Sequence, residues 1–269
     1  MNRFSIATAI LLAMTAGAAA ADMSSKAPSA PTEYAWTGIY GGFNLGYEWT
    51  SSTDVVTYVF PPPGALGVSN TSESLSGYVA GGQLGYNWQL GNWVLGFEAD
   101  AQGSPAHQIN TTGGVAAGSP VSGISTTVFD TLESFGTVRG RIGFVFDRWM
   151  FYGTGGYAWQ YMNATTTANP GPVSIFSNYG VESGWAAGAG IEVAFLDRWS
   201  AKLQYLHVET GTFNNTTGLL GATSPLVIGG IVGAGTTINE GTRMKTDTVQ
   251  IGLNYRFWPF DSSDSDKKK

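Results

Sequence analysis

Glu98 and Asp100 stand two residues apart, and two carboxylates on one strand face are the donor and acceptor that hydrolytic acid–base chemistry needs. Arg139 and Arg141 repeat the same spacing, with Glu133 at the same parity, and Glu48, Glu192, Lys202 and Arg256 fall on matching faces of other segments. Acids mixed with arginines and a lysine on one surface point to salt bridging before catalysis, because no nucleophile–base motif accompanies Glu98 and Asp100. His207 and Glu209 share the opposite, apolar parity of their own segment, which makes them a separate constellation. The other histidine, His107, lies on a distant segment, so the clustered ligands that metal or haem binding requires are missing. Gly-rich runs such as Tyr78 to Gly85 contain no phosphate-loop pattern.

The elements that position these groups are strands with two unlike faces. In Leu132 to Tyr161, the even positions before Asp147-Arg148 carry no charge, while the odd positions include Glu133, Arg139 and Arg141. After that two-residue turn the odd positions Phe151, Gly153, Gly155, Tyr157, Trp159 and Tyr161 form the apolar set. Period two means strands, and both runs exceed the roughly 5–6 residues usual in globular proteins. A tilted strand crossing a bilayer needs about 9–11 residues. An arginine on a lipid face costs about 2–4 kcal/mol near the midplane, so Arg139 and Arg141 must point into a polar lumen.

Six more alternating segments follow the same rule: about 38–49, 75–88, 93–103, 181–195, 199–209 and 246–257. They are joined alternately by long loops (50–74, 104–129, 162–180, 210–245) and tight turns (89–92, 147–148, 197–198). The pattern predicts an all-β fold, an eight-stranded antiparallel transmembrane β-barrel with short periplasmic turns and long extracellular loops. Its lumen face collects Glu48, Glu98, Asp100, Glu133, Arg139, Arg141, Glu192, Lys202 and Arg256, with Gln83, Gln102, Gln204 and Gln250. Trp36, Trp88, Trp93, Trp149, Trp199 and Trp258 are expected in an aromatic girdle at the periplasmic interface, and Trp49, Trp159 and Trp185 in one at the outer interface, all at strand ends.

Residues 1–21 form a cleavable signal peptide: Arg3, an apolar stretch to Met14 and a run of alanines. Residues 22–35 form a Pro/Ser-rich periplasmic arm, 36–257 the barrel domain, and 258–269 a polar tail. Only 12% of the 269 residues are charged, against about 25% in soluble domains, while 43% are apolar. The net charge of −6 argues against nucleic acid as a partner, and zero cysteines exclude disulfides and thiol chemistry. Export without a transmembrane helix leaves the outer membrane of a Gram-negative cell for an amphipathic barrel.

Four stretches carry a family resemblance: Trp36 to Gly42, Gly81 to Trp88, Val138 to Gly143, and Gly252 to Phe257. They resemble the small outer-membrane β-barrels of alphaproteobacteria, porin-like surface antigens similar to the OmpA transmembrane domain. Members of that family often finish at the aromatic matched by Phe257, whereas WPFDSSDSDKKK follows here. The resemblance implies outer-membrane lipid, lipopolysaccharide and the barrel-assembly machinery as partners, and no cofactor. It implies a structural surface protein that supports the envelope and presents loops, with a narrow porin as the alternative. Lipid A deacylases, also eight-stranded barrels, place a His and a Ser on the outer face. Here Glu209 stands where that serine belongs, which leaves His207 as an interfacial residue near lipopolysaccharide headgroups. The haem binding attributed to some relatives stays an open, weaker reading. The apolar run Leu226 to Val232 in segment 210–245 is expected to extend a hairpin, to cover the barrel mouth or to meet an extracellular ligand. An eight-stranded lumen is just wide enough for side chains to fill, so neutralising Arg141 is expected to destabilise the barrel.

Overall fold

The computed structural model describes residues 34–59, 66–114, 125–169, 173–217 and 237–258. The expected signal peptide, the arm up to residue 33, Pro61 to Pro63, the run Leu226 to Val232 and the tail beyond Trp258 lie outside the described residues. Eight strands follow in order: β1 Gly38–Val59, β2 Leu66–Leu90, β3 Trp93–Gly114, β4 Ser125–Phe146, β5 Trp149–Asn169, β6 Val173–Ala194, β7 Trp199–Thr217 and β8 Thr237–Trp258. Each pairs antiparallel with its chain neighbour, and β8 returns to β1, for example Gly42 against Asn254, closing the barrel.

Polarity is inverted relative to a water-soluble core. Arg139, Glu48, Gln160, Gln204 and Gln250 are among the largest fully buried side chains, whereas Phe43 is 79% exposed and Leu84, Phe97, Phe146, Ile251 and Phe257 are also exposed. Polar side chains inside and apolar ones outside is the arrangement a closed barrel needs when its solvent is hydrocarbon. Tight turns fix the register at one end. The Asp147-Arg148 turn places Asp147 at φ 55°, in the left-handed region that Asp tolerates better than most residues.

The strands are much longer than the alternation suggests, 19 to 25 residues, and they absorb most of the expected loops. Segment 50–74 is strand on either side of 60–65, and β7 and β8 run to Thr217 and back from Thr237. The physical reason is that these extensions are rich in Thr, Ser and Asn on both faces. Backbone pairing and β-branched residues support a strand there, but with polar residues on both faces there is no consistently apolar face for period-two patterning to mark. Among the described residues, the extensions pair unevenly. The β2–β3 register begins at Ala80–Gly103 and the β6–β7 register at Gly184–Thr210, while β1–β2 pairing continues to Val59–Leu66.

Candidate functional site in the barrel lumen

Inward parity brings Glu98, Asp100, Arg139, Arg141, Glu192 and Lys202 together in one buried network. Arg139 Nη2 donates to Glu98 at 2.8 Å and to Asp100 at 2.6 Å, and its Nε donates to the Thr137 hydroxyl at 2.7 Å. Lys202 Nζ lies 3.0 Å from both Glu98 oxygens. Arg141 Nη2 donates to Glu192 at 2.7 Å, and Ser200 and Asn254 donate to the other oxygen of the same carboxylate. The three cations and three carboxylates balance, and every one of these side chains is at most 4% exposed. Glu48 is fully buried in the same interior. An amide chain then links Asn44, Gln83 and Asn254 over the adjacent strands β1, β2 and β8 at 2.6 and 2.7 Å.

Two tyrosines hold Arg141. Its guanidinium carbon lies 4.4 Å from the centroid of Tyr152 and 5.5 Å from that of Tyr40. Nη1 donates to the Tyr40 hydroxyl at 2.8 Å, which in turn donates to Glu98 at 2.8 Å. Both rings lie over glycines, Tyr40 over Gly85 and Tyr152 over Gly190. A Cβ at Gly190 would sit 2.6 Å from Tyr152 Cζ and 2.7 Å from the Leu203 carbonyl oxygen. Gly190→Val is therefore expected to cost about 1–3 kcal/mol through overpacking, read as a lower urea midpoint for unfolding in detergent. Gly153→Ala, where nothing lies within 4 Å of an added Cβ, is the control and should leave the midpoint nearly unchanged.

Apolar layers bracket the charges along the strands. On the turn side, Trp36, Val94, Val145, Met150, Tyr152 and Ala194 form one buried cluster. Beyond the charges, Val79, Phe135, Ala158, Ala186, Leu206 and Val208 form another. The strand order shows the sandwich directly: β4 runs backwards from Val145 through Arg141 and Arg139 to Phe135, and β7 from Lys202 to Leu206.

Trp36 and Arg256 differ from their expected surroundings. Trp36 is 3% exposed inside the barrel rather than in the exterior girdle. It precedes β1, so no strand parity directs it outward, and its amide donates to Gln89 Oε1 at 2.7 Å. Arg256 points inward but sits apart from the carboxylate network, donating to the Asp197 carbonyl at 2.8 Å and stacking 4.4 Å from the Tyr34 ring centroid. Glu133 falls at the β4–β5 register shift between Leu132 and Ser134, and its side chain lies outside the described residues.

The exterior carries the aromatic residues that a bilayer selects. Trp88, Trp93, Trp149 and Trp199 stand exposed beside the tight turns, and Trp49 and Trp185 stand exposed further along their strands. Trp159 is half-buried with its ring across Gly136, and the Trp258 side chain lies outside the described residues. Trp49, Trp159 and Trp185 are thus mid-strand, not at strand ends, because the strands continue past the apolar band. The model of the family described as outer membrane protein beta-barrel domain matches residues 6–257. The chain belongs to that family. It is 32% identical over 262 residues to the 31 kDa outer-membrane immunogenic protein of Brucella melitensis biotype 1, covering 94% of this chain and 99% of the relative. It is 26% identical over 260 residues to the 25 kDa outer-membrane immunogenic protein of Brucella abortus biovar 1, covering 94% and 96%. Among solved structures, OprG from Pseudomonas aeruginosa aligns at a TM-score of 0.46 and 12% identity, covering 83% of this chain and 97% of that one.

The protein is therefore an outer-membrane β-barrel, and its exterior faces lipid. In that frame His207 stands on the lipid-facing side with Nδ1 2.7 Å from Asp247 Oδ1. This is the orienting half of a hydrolytic arrangement. Among the described residues no hydroxyl is hydrogen-bonded to the other ring nitrogen, and Glu209 engages Lys245 and Arg243 instead. A second exterior feature is a recess of about 370 Å³ over Gly140, Gly153 and Gly155, walled by Leu95 and Ile142. The residues that sequence reasoning passed over are Tyr152, Thr137 and Ser200 in the lumen and Asp247 outside. Their parity was legible; their partners come from other strands.

Proposed function

We propose that this outer-membrane barrel is a structural surface protein whose lumen does not conduct, supporting the envelope and presenting its extracellular connections, without enzymatic activity. The observation that carries the reading is the charge-balanced, desolvated network around Glu98, bracketed by apolar clusters on both sides. Moving an ion past it requires breaking pairs buried in a low-dielectric interior, whose attraction is far stronger than at a surface. Relatives named for immunogenicity support the surface role. The barrel-assembly machinery is its proposed partner during biogenesis, and lipopolysaccharide its partner in the membrane. In planar bilayers, the purified chain is expected to give no steps, or only very small ones, in molar potassium chloride. Steady, discrete openings of porin size would overturn the reading.

One observation favours a narrow, switchable ion path as the second reading. Arg141 reaches Glu192 at 2.7 Å while lying 3.7 Å from Glu98, so it has two carboxylates to exchange between. Rare, voltage-dependent openings abolished by Glu192→Gln would support it.

A further inference from the structure

Lipid-facing strands seldom carry ionic side chains, yet β7 and β8 place several on one exterior patch. His207 and the Tyr205 hydroxyl, at 2.7 and 2.6 Å, converge on one oxygen of Asp247. Two residues further out, Glu209 meets Lys245 at 3.3 Å and Arg243 at 3.8 Å. Register confirms one contiguous surface, since His207 pairs with Asp247, Glu209 with Lys245 and Thr212 with Arg243. Trp185 lies opposite Glu209 on β6 with its ring centroid 5.3 Å from the imidazole, and Trp49 lies opposite Asp247 on β1.

Depth places the patch at the outer leaflet. Trp199 opens β7 beside the periplasmic turn. An apolar band about 25 Å tall, crossed by strands tilted roughly 40°, takes about ten residues. That brings the Glu209–Lys245 rung to the outer boundary and leaves His207–Asp247 about 5 Å inside it. At this level the surrounding solvent is the lipid headgroup.

The patch also specifies the headgroup. The Lys245 and Arg243 side chains are 50% and 57% exposed, whereas Glu209 beneath them is 19% exposed. Lys245 Nζ and Arg243 Nε are directed at Glu209, and the half-exposed side chains keep further N–H donors from which a phosphate would take charge-assisted hydrogen bonds. Asp247 and Glu209 disfavour a purely anionic ligand and call for hydroxyl or amide donors next to the phosphate. The two tryptophans add flat apolar faces at the height of the first acyl carbons or a sugar ring. We propose that this patch binds the phosphorylated, sugar-based headgroup of an outer-leaflet glycolipid, the lipid A part of lipopolysaccharide. The site rests on the outer-membrane placement and is independent of whether the lumen conducts.

The test uses the refolded full chain in nanodiscs, titrated with bisphosphorylated lipid A, dephosphorylated lipid A and phosphatidylglycerol. Native chain is expected to bind bisphosphorylated lipid A at least about tenfold more tightly than the other two, the scale of one charge-assisted hydrogen bond. Arg243→Gln with Lys245→Gln should erase that preference, and Lys245→Arg alone should keep it. Because both basic side chains are exposed, folding is checked by heat-modifiable gel migration. Equal binding of dephosphorylated lipid A or of phosphatidylglycerol by the native chain overturns the proposal. So does an undiminished preference in the folded double variant.

Discussion

Arg141→Met is expected to destabilise the barrel by about 3–5 kcal/mol, the usual result of stripping one partner from a buried ion pair. The magnitude follows from what is left behind. Glu192 keeps Ser200 and Asn254 on one oxygen but loses the guanidinium 2.7 Å from the other, and the Tyr40 hydroxyl loses a donor while still donating to Glu98. Methionine fills part of the space between Tyr40 and Tyr152 but supplies no charge. The measurement is the urea midpoint for unfolding in detergent micelles. Adding Glu192→Gln to Arg141→Met should recover part of the loss, because removing both charges costs less than orphaning one. Unchanged stability with new conductance in planar bilayers would mean that Arg141 gates a path rather than filling one.

Trp36→Ala should cost about as much, roughly 3–5 kcal/mol, as large-to-small truncations of buried aromatics do. The indole is packed among Val94, Val145, Met150, Tyr152 and Ala194, with Tyr34 against it at a ring separation of 4.8 Å. A cavity there opens the turn-side layer below the charges. Trp88→Ala is the control, since that ring is exposed on the exterior and its loss removes far less contact. Equal effects of the two substitutions would mean that Trp36 belongs to the girdle after all. Trp36→Phe should lie much nearer the native chain. The buried Nε1 has no hydrogen-bond partner among the described residues, so phenylalanine forfeits packing but no polar contact.

The alternation of Leu132 to Tyr161 was enough to establish strands with a polar and an apolar face, and the cost of a charge in hydrocarbon was enough to turn Arg139 and Arg141 inward. Counting such runs gave the eight strands and the Asp147-Arg148 turn. Side-chain parity is a local property of the chain, which is why it is legible from sequence. It stops being legible where its cause stops: the Thr/Ser/Asn extensions of β1, β2, β7 and β8 are polar on both faces, and nothing in their pattern separates them from loops. It also fails before a strand begins, as at Trp36.

Partnership belongs to the tertiary structure alone. Closure of the barrel decides that Arg141 sits between Tyr40 and Tyr152, that Arg256 stacks on Tyr34, and that His207 meets Asp247, 40 residues away. Parity decides only whether a side chain points in or out. Strand register around a closed sheet decides which side chains meet, and it is set by the pairing of every strand at once.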